Sequence, residues 1–289
     1  MPSLKDIRNR IASVKSTQQI TKAMKMVSGA KMRRAHDAIV AARPYAAKVE
    51  ELVQRVASAS TDLGHPLLRR PDSRRAVMVV VTSDRGLCGG FNNQLLRRVE
   101  AEIKGQPEWD YQVVAVGRKG RDYLRKRGFD VIDSHIEMGG KFTGAFAEEL
   151  VAGTMEPFAS GDVGRLALAF NAFRSAISQV PTVDEVLPVP LPEGTADEAV
   201  VGSPEYLFEP DPAAVLAALL PRYVVSRTLR ALLESEASEH SARMTAMDAA
   251  TSNADELIRH LTLTMNRARQ AMITKELLEI VGGAEALAS

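Results

Sequence analysis

The stretch Thr82-Ser83-Asp84-Arg85-Gly86-Leu87-Cys88-Gly89-Gly90-Phe91-Asn92 brings together residue types that could do chemistry. It follows an apolar, β-branched run, and a glycine-rich turn between strand and helix is where doubly wound folds bind phosphates. The spacing is not G-x-G-x-x-G, however, and no Gly-Lys-Ser/Thr follows to make a P-loop. A tight turn that uses glycine's permissive backbone accounts for the stretch. Cys88 is the only cysteine. With no His near it in sequence and no second thiol to resolve a disulfide, it reads as a structural thiol. The five histidines, His36, His65, His135, His240 and His260, are scattered without metal-ligand spacing. Neither G-x-S-x-G nor H-E-x-x-H occurs. The expectation is a chain with no catalytic, cofactor-binding or metal-binding residues of its own.

The elements around this turn divide into helix, α/β domain, helix. After Ser3, apolar residues at Leu4, Ile7, Ile11 and Val14 follow three-four spacing, the mark of an amphipathic helix. The pattern loosens at Thr17, Thr21 and Ser28 and resumes through Ala35, Ala38, Ala42, Val49, Leu52 and Val56. One helix over residues 3–58 of the N-terminal block 1–58 would run roughly 84 Å at 1.5 Å per residue, longer than a compact globule needs, with Pro44 as the place for a kink. Residues 59–75 read as a linker. In 76–190, the strand candidates are 76–81, 112–116, 130–136, 165–170 and 183–189. They alternate with helical stretches near 92–104, 118–127 and 142–159, which predicts a Rossmann-like domain with a mostly parallel sheet. The proline-rich segment 191–212 is an exit loop.

The most regular segment is 213–289. Met244, Met247, Thr251, Ala254, Ile258, Leu261, Met265, Ala268 and Met272 keep strict 3,4,3,4 spacing, which predicts a left-handed coiled coil. Two long helices flanking one domain pair most economically with each other, antiparallel. The seam methionines fit core packing better than any metal or cofactor role.

Composition is that of an ordinary globular chain: 45% hydrophobic, 25% charged, net charge +1 over 289 residues. A single cysteine excludes an internal disulfide and suits a reducing compartment. The opening Met1-Pro2-Ser3-Leu4 does not read as a signal peptide, and apolar runs such as Ala213–Leu220 fall short of a bilayer span. Charge is unevenly placed: residues 1–35 carry nine Lys/Arg against the single acid Asp6. Without interleaved aromatics, this basic run reads either as solvated helix charge or as a surface docking against an acidic protein. A rival reading makes the chain a nucleotide-sensing α/β domain with coiled-coil arms and a basic nucleic-acid-binding helix.

Three blocks of residues, taken in order, resemble the gamma subunit of F-type ATP synthases. The first is Ile7-Arg8-Asn9-Arg10-Ile11 with Lys15-Ser16-Thr17-Gln18-Gln19-Ile20-Thr21-Lys22-Ala23-Met24-Lys25-Met26-Val27. The second is the Thr82–Asn92 turn. The third runs through Glu236-Ala237-Ser238-Glu239-His240 and Asn266-Arg267-Ala268-Arg269-Gln270-Ala271-Met272-Ile273-Thr274 to Glu279-Ile280-Val281. The resemblance implies a non-catalytic central-stalk rotor, coupling rotation of the c-ring to the conformational cycle of the beta catalytic sites. It implies three alpha and three beta subunits, epsilon and the c-ring as partners, with neither nucleic acid nor direct membrane insertion. It places the chain peripherally, at the cytoplasmic face of a bacterial inner membrane. By the same resemblance Arg269, Gln270 and Thr274 face the beta catch loop. Lys22, Met24 and Lys25 face the acidic beta lever helix, and Tyr206, Phe208 and Glu209 meet the c-ring. Ala268 lies on the seam, so at 100° per residue Arg269 turns away from the partner helix. Gln270 and Thr274, four apart, share one face. Two residues depart from the family pattern. Met265 replaces a usual Tyr, which changes local packing, and Gly29 replaces a usual Ala at a helix cost of about 1 kcal/mol. The cysteine pair of the chloroplast redox switch is absent, which, with no transit peptide in view, points to a bacterial type.

Overall fold

A computed structural model describes residues 3–59, 64–190, 209 and 211–288. In chain order the elements are α1 (Leu4–Ala59), a short 3-10 turn (Pro66–Leu68), β1 (Arg75–Val81), α2 (Phe91–Gly105), β2 (Asp110–Val116), α3 (Arg118–Lys126), β3 (Asp130–His135), α4 (Gly144–Ser160), β4 (Arg165–Ser175), β5 (Ser178–Leu187) and α5 (Pro212–Ala288). The fold is α/β. The chain forms two compact units, one of Gly29–Arg243 and one of Met1–Ser28 with Met244–Ser289.

In the larger unit the sheet order is β3-β2-β1-β4-β5. The first four strands run parallel, with Val79 of β1 beside Val114 of β2 and Leu168 of β4, and β5 returns antiparallel to β4. The continuous apolar run of β1 is explained by burial on both faces. Ala76, Met78 and Val80 pack with Leu95, Leu96 and Val99 of α2 and Leu124 of α3. Val77, Val79 and Val81 point the other way, to Leu150 and Val151 of α4, Val49, Val53 and Val56 of α1, and Leu216, Leu220 and Val224 of α5. A smaller cluster joins Ala35 and Ile39 of α1 to Leu233 and Ala237 of α5, where small residues let the two helices approach.

Three expected boundaries move. β5 begins at Ser178 and ends at Leu187, whereas the sequence pattern placed it at 183–189. Its first half is polar and contains Pro181. That is tolerated because β5 is an edge strand with no ladder to feed on its far side. β4 continues past Phe170 to Ser175, and α5 starts at Pro212, inside the expected exit loop. Proline suits the first helical turn, where its missing N–H has no acceptor to serve. The linker 59–75 also holds a 3-10 turn, capped by His65 Nδ1 accepting the Leu67 N–H at 3.2 Å, with Leu67 buried.

Candidate functional site

The glycine-rich turn is closed on itself. Ser83 N–H donates to Asn92 Oδ1 at 3.0 Å, and Asn92 Nδ2 donates to Ser83 Oγ at 2.7 Å and to Cys88 Sγ at 3.3 Å. Asp84 accepts the N–H groups of Arg118 and Glu137, both at 3.0 Å, so it caps the start of α3 and pins the loop after β3. Thr82 Oγ1 accepts from Gly120 N–H at 2.8 Å and donates to Val116 O. The polar side chains of the turn are thus engaged with one another and with nearby backbone. Cys88 is buried beneath them.

The crevice where a sheet of this order would hold a ligand lies beyond the carboxyl ends of β1 and β4. Here α5 occupies it. Ser235 hydroxyl donates toward Val81 O at 3.5 Å and Ser238 donates to Asn171 O at 2.9 Å. Arg243, paired with Glu239 at 2.7 Å, donates to the carbonyls of Arg85 and Gly86 at 3.2–3.3 Å. These contacts put α5 where a nucleotide would lie at that switch point. Sequence reasoning missed the role of Ser235 and Ser238, because serine within a helical repeat carries no signal for what it faces.

Elsewhere in this unit Arg165 is buried between strand ends. Its Nε lies 2.6 Å from Glu185, and its guanidinium also meets Tyr111 Oη at 2.6 Å and Gln106. Burial lifts the Tyr111 hydroxyl above the ordinary tyrosine value, with the Arg165 charge opposing. Arg227 of α5 pairs with Asp184 of β5 and donates to Tyr223 Oη at 3.1 Å. Among the described residues no group of three His, Cys, Asp or Glu could hold a metal ion, and no helix is long and apolar enough to cross a membrane.

The smaller unit is an antiparallel helix pair. Gln18 donates to Asp255, Thr21 and Thr251 join hydroxyls at 2.8 Å, and Lys25 meets Asp248 at 2.5 Å. Each step forward on α1 is a step back on α5, so the same register brings Ile7 opposite Met265 and Leu4 opposite Ala268. Ile7, Met247 and Ala254 are buried as the heptad pattern predicts, and Thr21 and Ser28 are buried on the same seam. Thr17 is not on it. That residue is exposed with its hydroxyl on Ser13 O, and Gln18 holds the position instead. Met272, expected on the seam, is 46% exposed because α1 has already ended opposite it.

The family-implied contact residues separate accordingly. Arg269, Gln270 and Thr274 are exposed on the part of α5 that outruns α1. Lys22 is exposed and Met24 half-buried, while Lys25 is half-buried and engaged with Asp248. Glu209 is exposed in a bend. Tyr206 and Phe208 lie outside the described residues. Beyond residue 269 large apolar side chains stand out over nearly half of the helix circumference: Ile273, Leu277, Leu278, Ile280 and Val281 are 48–68% exposed, while Arg269, Lys275, Glu276 and Glu279 take the other side. Ile20, Met26 and Val27 of α1 are exposed as well.

An α/β domain whose ligand crevice is filled by its own helix, together with a partly unpartnered apolar helix pair, defines a protein built to engage other chains. A family model described as ATP synthase matches residues 3–287. The ATP synthase gamma chain of Heliobacterium modesticaldum is 47% identical, over 99% of this chain and 100% of the relative. That of Anaeromyxobacter sp. strain Fw109-5 is 50% identical with the same coverage. Among solved structures, the central stalk and c-ring assembly of the Tetrahymena thermophila mitochondrial ATP synthase contains a chain 26% identical to this one. It superposes at TM-score 0.59 over 80% of this chain and 99% of that one. A chain of the Euglena gracilis mitochondrial ATP synthase, 20% identical, shares the fold at TM-score 0.68 over 98% of this chain and 94% of that one. The chain belongs to the ATP synthase gamma chain family.

Proposed function

We propose that this chain is the central-stalk rotor of an F-type, proton-translocating ATP synthase and has no active site itself. Its helix pair stands within a ring of three alpha and three beta subunits, and its α/β domain meets epsilon and the c-ring. Rotation of the ring turns the asymmetric shaft, which drives the beta sites through their binding states. The observation that carries this reading is the broad exposed apolar face of α5 beyond residue 269. The apolar face of an amphipathic helix packs against another element, and an exposed patch of this kind marks a protein contact. A surrounding collar of subunits supplies that contact and still permits turning, since apolar contact is not directional.

Arg269, Gln270 and Thr274 serve as the catch-loop contact, Lys22, Met24 and Lys25 as the lever-helix contact, and Tyr206, Phe208 and Glu209 as the foot on the c-ring. The blocks 1–58 and 213–289 act as shaft, 76–190 as base, and 59–75 and 191–212 as connections. The complex sits at the cytoplasmic face of a bacterial inner membrane, held there by its partners. Co-purification tests the reading. Affinity-tagged chain should bring down alpha and beta in equal numbers, and a rod fixed to its α/β domain should turn when ATP is added. The isolated chain should show no saturable micromolar ATP binding by calorimetry. Failure to recover alpha and beta would overturn the proposal.

A further inference from the structure

Three serines of α5 form a ladder against the larger unit's sheet. Ser235, Ser238 and Ser241 are 0–2% exposed. Their hydroxyls donate to three separate segments: Val81 O at the end of β1 at 3.5 Å, Asn171 O in β4 at 2.9 Å, and Ala176 O in the β4–β5 turn at 2.5 Å. Three residues turn a helix by about 300°, so a spacing of three keeps the hydroxyls on one slowly drifting face. The neighbouring Ala231, Leu232 and Ala237 are buried beside them and supply the apolar part of the contact.

Apolar packing resists separation strongly but resists small rolling of a helix weakly, because it has no preferred direction. Hydrogen bonds lose strength steeply as their angle degrades. Three of them, spread over two helical turns and aimed at three fixed carbonyls, therefore oppose rotation of α5 about its own axis. We propose that the Ser235–Ser238–Ser241 ladder is a torsional clamp, a set of positioning residues that locks α5 to the α/β domain and passes twist from domain to shaft. The mechanical half of this statement rests on the rotor reading; the clamp itself does not.

Two measurements separate the halves. In the full-length chain, nitroxides at Arg222 on α5 and Lys104 on α2 report the seating of α5 by pulsed electron resonance. The parent should give one narrow distance distribution. Ser235→Ala/Ser238→Ala/Ser241→Ala should broaden it, and the same positions as cysteine, similar in size but weak donors, should give an intermediate width. If the triple variant does not fold, Ser238→Ala alone carries the comparison. A distribution no wider than the parent's in a folded variant overturns the clamp and leaves the rotor reading intact, whereas a merely structural role would lower the unfolding midpoint without widening it. In the assembled complex, angular fluctuation of a rod on the domain during catalytic dwells should widen for the triple variant. An unchanged width would overturn the torque-passing role. A parent complex that does not rotate at all would instead defeat the rotor reading.

Discussion

The hydroxyl oxygens of Thr21 and Thr251 lie 2.8 Å apart across the antiparallel helix pair, and Thr251 Oγ1 also lies 2.7 Å from Met247 O of its own helix. Thr21 Oγ1 likewise lies 3.0 Å from Gln18 O of its own helix, so one of the two hydroxyl protons spans the pair and the other serves a carbonyl. Flanked by Gln18–Asp255 and Lys25–Asp248, the pair makes a polar layer in a seam that is otherwise apolar or small.

This layer yields a prediction about coupling rather than total stability. A hydrogen bond of this kind contributes about 0.5–1.5 kcal/mol net, and replacing both partners by apolar groups of one shape is close to neutral. Thr21→Val and Thr251→Val should each destabilise, while the double variant should match or exceed the parent. A double-mutant cycle from urea unfolding of the full chain checks it. Strictly additive single effects would show that the hydroxyls do not interact.

What could be read from sequence follows from how local each cause is. The long helices and β1 were visible because heptad spacing and an unbroken apolar run report burial directly. β5 was displaced because its pairing with β4 depends on partner geometry: the connecting Ala176-Ile177 turn contains no Gly, Asn, Asp or Pro to announce it. Met272 was misassigned because a heptad pattern records which face a residue occupies. It does not record whether the partner helix is still there. The proposed contact residues are reached only through resemblance, since exposed side chains at Arg269 and Gln270 carry no internal constraint that the pattern could show.

The start of α1 gives a pH prediction. Ser3 and Asp6 form a reciprocal cap. Asp6 Oδ2 accepts from Ser3 Oγ at 2.7 Å and Ser3 N–H at 3.0 Å, while Asp6 N–H donates back to Ser3 Oγ at 3.2 Å. The Ser3 hydroxyl and then its N–H hold the Asp6 carboxyl below the ordinary aspartate value. A depressed folded value means that the stabilisation is complete above the unfolded value of about 3.9 and is lost as pH falls through the lower, folded one. Amide protection in the first turn, read by NMR, should therefore hold from pH 7 to 5 and fall only below about pH 4. Asp6→Asn should flatten the profile, and an unchanged slope in that variant would exclude the cap as its cause.

Two glycines should respond with opposite sign. Gly117 has φ +96°, and a Cβ there would stand 2.1 Å from Thr82 O. Gly117→Ala must push apart the ends of β1 and β2 and break the bonds that Thr82 makes to Val116 and Gly120, so a loss above ~3 kcal/mol or failure to fold is expected. Gly153 lies inside α4 with open space around its missing Cβ. Gly153→Ala should raise stability by about 0.5–1 kcal/mol. Thermal unfolding of the two variants side by side decides it, and equal effects would refute the reading of the turn.

The last prediction concerns Arg269 and Gln270. Both are exposed, and the antiparallel register ends α1 opposite Ala268, one residue before them. Among the described residues neither has a side-chain partner within the pair. A guanidinium is suited to bidentate contact with a carboxylate. Truncating one partner in such a contact costs ~2–5 kcal/mol when buried and less at a wet rim, and a contact that releases at every step of a rotor belongs at the low end. Arg269→Ala/Gln270→Ala should accordingly leave the helicity of the isolated chain unchanged by circular dichroism. The complex reassembled with alpha and beta should hydrolyse ATP well below the parent rate or assemble poorly. Full assembly with normal turnover would show that these two side chains carry no catch. Loss of helicity in the isolated chain would show instead that they support the helix, and that the seam does not end where the register places it.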